Sequence, residues 1–253
     1  MNFFFGLKNN IFNSEITIPR FQNKNKTDLE HNLYQLTVDS KKWTLEKLNN
    51  CELNNDFYLI KNEQIDNSKV FFLAKEKDVK KFDDNKIVNF NNFTETTPAF
   101  RANLKIYIKD GGFSSFQSEY PYRMIIKKGN ILTPVSAILN KNADKNYLIF
   151  RNIYQEPTQD KFYSYFVDIK NKKLLEKVEF KTNFSNFLTI DKSLIKPEIY
   201  IMTDNFLGIP MFLSENNKHL SFEHTHPPHE YILSKNKFEK VSNLKKEIYE
   251  IIN

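Results

Sequence analysis

The sequence predicts a mainly β protein, an antiparallel sandwich or jelly-roll-like core closed by a C-terminal amphipathic helix. Three observations carry this. Apolar and polar residues alternate in short runs, the period of a half-buried strand. Turn-forming residues fall between those runs. Near the C-terminus the apolar period lengthens to three and four residues, the period of a helix.

Taken in order, residues 1–32 are polar and contain Pro19 and an Asn/Lys run, so an irregular arm is expected. Tyr34, Leu36 and Val38 alternate with polar residues and predict a strand. Ser40 is positioned to cap a short helix over 41–50, with Trp43, Leu45 and Leu48 as its apolar positions. Strands are expected over 57–61 and 70–75, joined by a loop holding Asn62, Asp66, Asn67 and Ser68. Residues 76–99 are Asn-rich, contain Pro98, and look like a connection. The predicted organisation is therefore an arm (1–32), a small β-rich region (33–99) and a β-sandwich core with its helix (100–253).

In that core Leu104, Ile106 and Ile108 alternate with Lys105, Tyr107 and Lys109. Residues 147–154 form an aromatic and aliphatic run. The clearest hairpin pairs 162–169 with 174–181 across Lys170, Asn171, Lys172 and Lys173. Tyr163, Tyr165, Val167 and Ile169 would share one face of its first strand. Further strands are expected over 187–190, 198–203, 211–214, 220–226 and 231–234. Phe238, Val241, Leu244, Ile248 and Ile251 then mark the terminal helix.

Composition narrows the function classes. The chain has 253 residues, 24 Phe and 12 Tyr, enough apolar surface for a core without staples. Its net charge is +6, but only Arg20, Arg101, Arg123 and Arg151 are arginines, and the lysines are interleaved with acids. Arginine is the preferred fork for phosphates and bases, so no specific nucleic-acid partner is expected. No apolar run is long enough to span a membrane as a helix. The opening burst Phe3, Phe4 and Phe5 is short for a signal-peptide core, and Cys51 is the single cysteine, so a reducing, cytoplasmic location is expected.

Two constellations could carry function. The first is His219, His224, His226 and His229, with Glu223 and Glu230 among them. Two imidazoles at i and i+2 on a strand point the same way and can reach one ion, so His224, His226, His229 and Glu230 form a candidate site for a divalent transition metal (Zn, Fe or Mn). The stretch from His224 to Glu230 has His-x-His-x3-Glu spacing and resembles the first metal motif of the cupins over those seven residues. It departs from that motif in lacking the flanking glycines, with Lys218 at the upstream position, and no second motif follows. The resemblance implies a metal-dependent enzyme acting on a small polar molecule. The plainer alternative is a set of strand-end histidines, bonded to loop backbone or to solvent, before the rigid Pro227-Pro228 pair.

The second constellation starts at Asp110-Gly111-Gly112, which holds two of only five glycines. Such a pair implies a backbone need, positive φ or a close approach. It is followed by Phe113, Phe116, Gln117, Glu119, Tyr120, Tyr122 and Arg123. Rings stack on apolar faces of sugars, while Gln, Glu and Arg bond hydroxyls or clamp an anion. Gln117, Glu119, Tyr120, Tyr122 and Arg123 are thus candidate ligand-binding residues for a small polar ligand or glycan. The alternative is a structural hairpin with ordinary core rings. Cys51 shows no feature that would activate a nucleophile. The leading expectation is a non-catalytic ligand-binding or accessory protein, carbohydrate-binding through this loop. The competing one is the metal-dependent enzyme.

Overall fold

Phe3 and Phe4, placed by composition in an irregular arm, are instead buried in the first strand. In the computed structural model every residue is described except 24–25, 28–29, 91–100, 128, 138, 205–206, 226–227 and 231. The chain forms two compact units. The first holds Met1–Ile126, Ile153–Gln159 and Asn183–Ser185; the second holds Lys127–Asn152, Asp160–Thr182 and Asn186–Asn253.

The first unit contains β1 (Asn2–Phe4), β2 (Asn13–Pro19), β3 (Phe21–Asn23), β4 (Lys26–Thr27), β5 (His31–Asp39) and β6 (Lys42–Lys47). It continues with β7 (Glu52–Asn54), β8 (Phe57–Ile60), β9 (Val70–Lys75), the one-turn helix α1 (Glu76–Val79), β10 (Asn103–Tyr107), β11 (Phe113–Gln117), β12 (Glu119–Pro121) and the one-turn helix α2 (Tyr122–Ile125). One antiparallel sheet has the order β12-β1-β9-β5-β6, and a second β11-β10-β2-β8-β7. β3 and β4 form a small ribbon. β12 and β10, expected in the core region from residue 100 onward, pair with β1 and β2 of the supposed arm, respectively. Phe72 of β9 anchors the core: it stacks on Phe90 at 5.5 Å and on Tyr34 at 5.7 Å, and meets the edge of Phe3 at 6.0 Å.

The helix expected over 41–50 is β6 instead. Ser40 and Lys41 have φ of 49° and 64°, the two left-handed residues of a tight hairpin turn, and Asp39 pairs with Lys42. Trp43 and Leu45 then lie two apart on one strand face, opposite Val38 and Leu36. A spacing compatible with either period is resolved by the turn.

The second unit contains β13 (Leu132–Pro134), β14 (Lys145–Arg151), β15 (Lys161–Asp168), β16 (Lys173–Lys181), β17 (Ser185–Thr189, all but its first residue), β18 (Ile199–Thr203), β19 (Ile209–Asn216), β20 (His219–His224) and α3 (Lys237–Ile252). Its sheets have the orders β13-β18-β15-β16 and β17-β14-β19-β20. The predicted hairpin across 170–173 is β15 and β16, with a bulge between Phe166 and Val167. The terminal helix is present. Its Ile248 is buried with Leu132, Val167 and Met202, and Tyr165, Ile169 and Leu174 close around them. No strand forms over the described part of 231–234; Tyr231 lies outside the described residues.

The mainly β, antiparallel character and the C-terminal helix hold. The sandwich does not. Among the described residues, apart from the β3–β4 ribbon, the strands divide into four separate antiparallel sheets of four or five strands. That is the strand complement of four propeller blades, not of a two-sheet core. Among the described residues no helix is long and apolar enough to cross a membrane.

Candidate functional site

Alternation along β10 and β11 sorts their side chains onto two faces. Leu104, Ile106 and Phe116 are buried. The other face carries Asn103, Lys105 and Tyr107 on β10 and Phe113, Ser115 and Gln117 on β11. Register sets them in rows: Tyr107 opposite Phe113, Lys105 opposite Ser115, Asn103 opposite Gln117. β2 extends the rows with Asn13, Glu15 and Thr17.

The Gly-Gly loop makes this face possible by closing the hairpin. Ile108 N–H donates to Gly112 O at 3.2 Å, and Gly111 N–H to Ile108 O at 3.0 Å. The left-handed residue of the loop is Asp110, with φ of 58°, and neither glycine has positive φ. The expected need of the glycines for that conformation is therefore not met at the glycines.

Phe113 is 66% exposed, so it is not the core ring that the structural-hairpin alternative would make it. The Lys105 ammonium lies 5.1 Å from the Tyr107 ring and 5.4 Å from the Phe113 ring, and 3.7 Å from a Glu15 carboxylate oxygen. Tyr107 is held above the ordinary phenol range by desolvation, with Glu15 and Glu63 adding to it, so its hydroxyl stays protonated.

At the other end of the face a polar relay runs inward. Arg101 Nη1 donates to Gln117 Oε1. Gln117 Nε2 donates to Glu119 Oε2 at 3.0 Å, and Ala102 N–H donates to Glu119 Oε1 at 3.0 Å. Glu119 is only 6% exposed. Burial pushes its carboxyl above the usual carboxylate range, against the opposing pull of the Ala102 N–H, the Gln117 amide and Arg101.

Of the five candidate ligand-binding residues, the structure brings Gln117 and Glu119 together. Tyr120 is fully buried on β12, paired with Phe3. Tyr122 is half-buried; its hydroxyl donates to Ile87 O at 3.4 Å and accepts from Gln155 Nε2 at 2.9 Å. Arg123 is exposed on α2. Sequence reasoning placed Lys105 and Tyr107 on a strand but did not assign them to a site, and it missed Arg101. Continuing the alternation of Gln117 back through Ser115 to Phe113 would have found the face.

The histidines lie in the second unit. His219 and His224 are at the two ends of β20, the outer strand of its sheet. His224 Nδ1 meets Glu223 Oε1 at 2.7 Å, and His229 Nε2 meets Glu230 Oε1 at 3.0 Å. The His229 ring packs on Phe238 at 4.9 Å. The His224 and His229 imidazoles are thus each held by the acid next to them in sequence. His226 lies outside the described residues. Among the described residues no three His, Cys, Asp or Glu side chains are grouped to hold a metal ion. Cys51 is buried, its sulfur accepting from Gln64 Nε2 at 3.0 Å, and burial pushes its thiol pKa up. That is the reverse of what a nucleophile needs.

No family of known proteins, no curated protein and no solved structure matches the chain.

Proposed function

We propose that this chain is a non-catalytic binding protein whose ligand is a carbohydrate, engaged on the solvent face of β10 and β11. The observation that carries this is the cross-strand pair Phe113 and Tyr107, an open aromatic platform with Phe113 66% exposed. An exposed phenyl ring gains free energy when an apolar sugar face covers it. Asn103 and Ser115 stand in the neighbouring rows and offer donors and acceptors for hydroxyls. The platform sits on a paired sheet, so little ordering is required on binding. The same reading puts the protein in the cytoplasm, where a lone buried thiol such as Cys51 stays reduced.

Glycan screening of the whole chain followed by calorimetric titration tests the proposal. Phe113→Ala is expected to weaken binding by about tenfold while leaving the unfolding midpoint unchanged, since the ring is exposed. Unaltered affinity in this variant, or no carbohydrate bound by the wild type, would sink it.

A further inference from the structure

The end of the face away from Phe113 is built differently. Arg101 is exposed, yet the amide oxygen that receives its Nη1 belongs to a side chain whose NH2 is already committed to buried Glu119. Glu119 is fixed in turn by the Ala102 N–H. With both amide ends assigned, Gln117 presents only oxygen to the arginine, and the guanidinium is oriented from behind. Among the described residues one of its five N–H groups is used in this way, leaving donors for a planar two-oxygen partner.

The residue type matters as well. Of 37 basic residues only four are arginines, so lysine supplies the general surface charge. Arg20 and Arg151 are buried, whereas Arg101 stands at the rim of the aromatic face. Lys105, between Arg101 and Phe113, adds a second cation beside Glu15.

We propose that the carbohydrate bound here is acidic, an oligosaccharide carrying a carboxylate that pairs with the Arg101 fork while Phe113 and Tyr107 stack its rings. This rests on the reading above that the face binds carbohydrate. Gln117 and Glu119 act as positioning residues. Phe113 and Gln117 are four residues apart on an extended strand, about 13 Å. A ligand that touches both ends is therefore an oligomer and not a single sugar.

The test is titration of the whole protein with a tetrameric oligouronate and with the neutral oligosaccharide of the same linkage. The wild type is expected to prefer the acidic chain by about tenfold or more. Arg101→Gln is expected to erase that preference while leaving neutral binding within about twofold. Arg101→Lys keeps the charge without the fork and is expected not to restore it. Phe113→Ala should weaken both ligands alike. Equal wild-type affinity for the two ligands, still weakened by Phe113→Ala, overturns the acidic specificity and leaves the carbohydrate reading standing. Binding of neither ligand overturns both. Full preference in Arg101→Lys, or equal affinity for polyphosphate, reduces the site to a bare charge and overturns the fork.

Discussion

Glu119 concentrates the electrostatics of the candidate face in one carboxyl group. It is buried, and its pKa is raised because desolvation outweighs the hydrogen bonds it accepts. A carboxyl raised in the folded state binds its proton more tightly there than in the unfolded chain. Its contribution to stability is therefore fully present below the unfolded value, about 4.3, and is lost as pH rises through the folded one. The stability of the wild type relative to Glu119→Gln is expected to improve as pH falls from neutral toward about 4. Urea midpoints of the two proteins across that range check it, and a trend of opposite sign would mean that the hydrogen bonds win over burial. Asn183 shows how much a single side chain can organise. It is buried with φ of 52°; its oxygen accepts from Tyr154 N–H at 2.7 Å and its amide donates to Glu156 O at 3.0 Å and Thr158 O at 2.8 Å. Nothing in its surrounding residue types announced this, because the partners are backbone atoms far along the chain.

At the scale of elements, the β15–β16 hairpin and the terminal helix were legible, whereas the strands of the first twenty residues and the turn at 40–41 were not. Ile248 marked the inner side of the terminal helix by its spacing from Leu244 and Ile251, and the structure buries it. Ile248→Ala is expected to cost about 3 kcal/mol in chemical unfolding, through lost transfer energy and a residual cavity. Phe238→Ala, on the exposed start of the same helix, is expected to change stability by less than about 0.5 kcal/mol. Equal losses would mean that the helix is not seated through Ile248. The failure over 41–50 has a specific cause. Ser40 with Lys41, and Asn217 with Lys218, make tight left-handed turns without glycine. Such turns cost about 1 kcal/mol or more per residue, and flanking strand pairing must supply it. In a chain with five glycines, rules that find turns through glycine fall silent at such positions.

For the molecule as a whole, aromatic richness and alternation gave away the class, but alternation reports which side of a strand is buried and not which strand lies beside it. Asn2 pairs with Pro121, and no local signal encodes that distance. The division into units was hidden for the same reason. Trp43 Nε1 donates to Gln155 O at 3.0 Å, and Ile87 N–H to the same oxygen at 2.9 Å. Residues 153–159, with 183–185, thus complete a unit whose first segment ends at Ile126. A chain truncated after Ile126 is expected not to reach the native state of that unit. Emission from Trp43, the only tryptophan, should be shifted to the red of the full-length protein. A native-like spectrum from the shortened chain would show that the later segment is dispensable.

The interleaving of segments also sets a schedule for synthesis. Between Ile126 and Ser185 the growing chain delivers β13 to β16 before the first unit has its last piece. At translation speeds of about 5–20 residues per second, that interval is about 3–12 s. For about the first half of that time Trp43 lacks the Gln155 carbonyl it will bond, and the nascent first unit waits for residues 183–185 while strands of the second are already made.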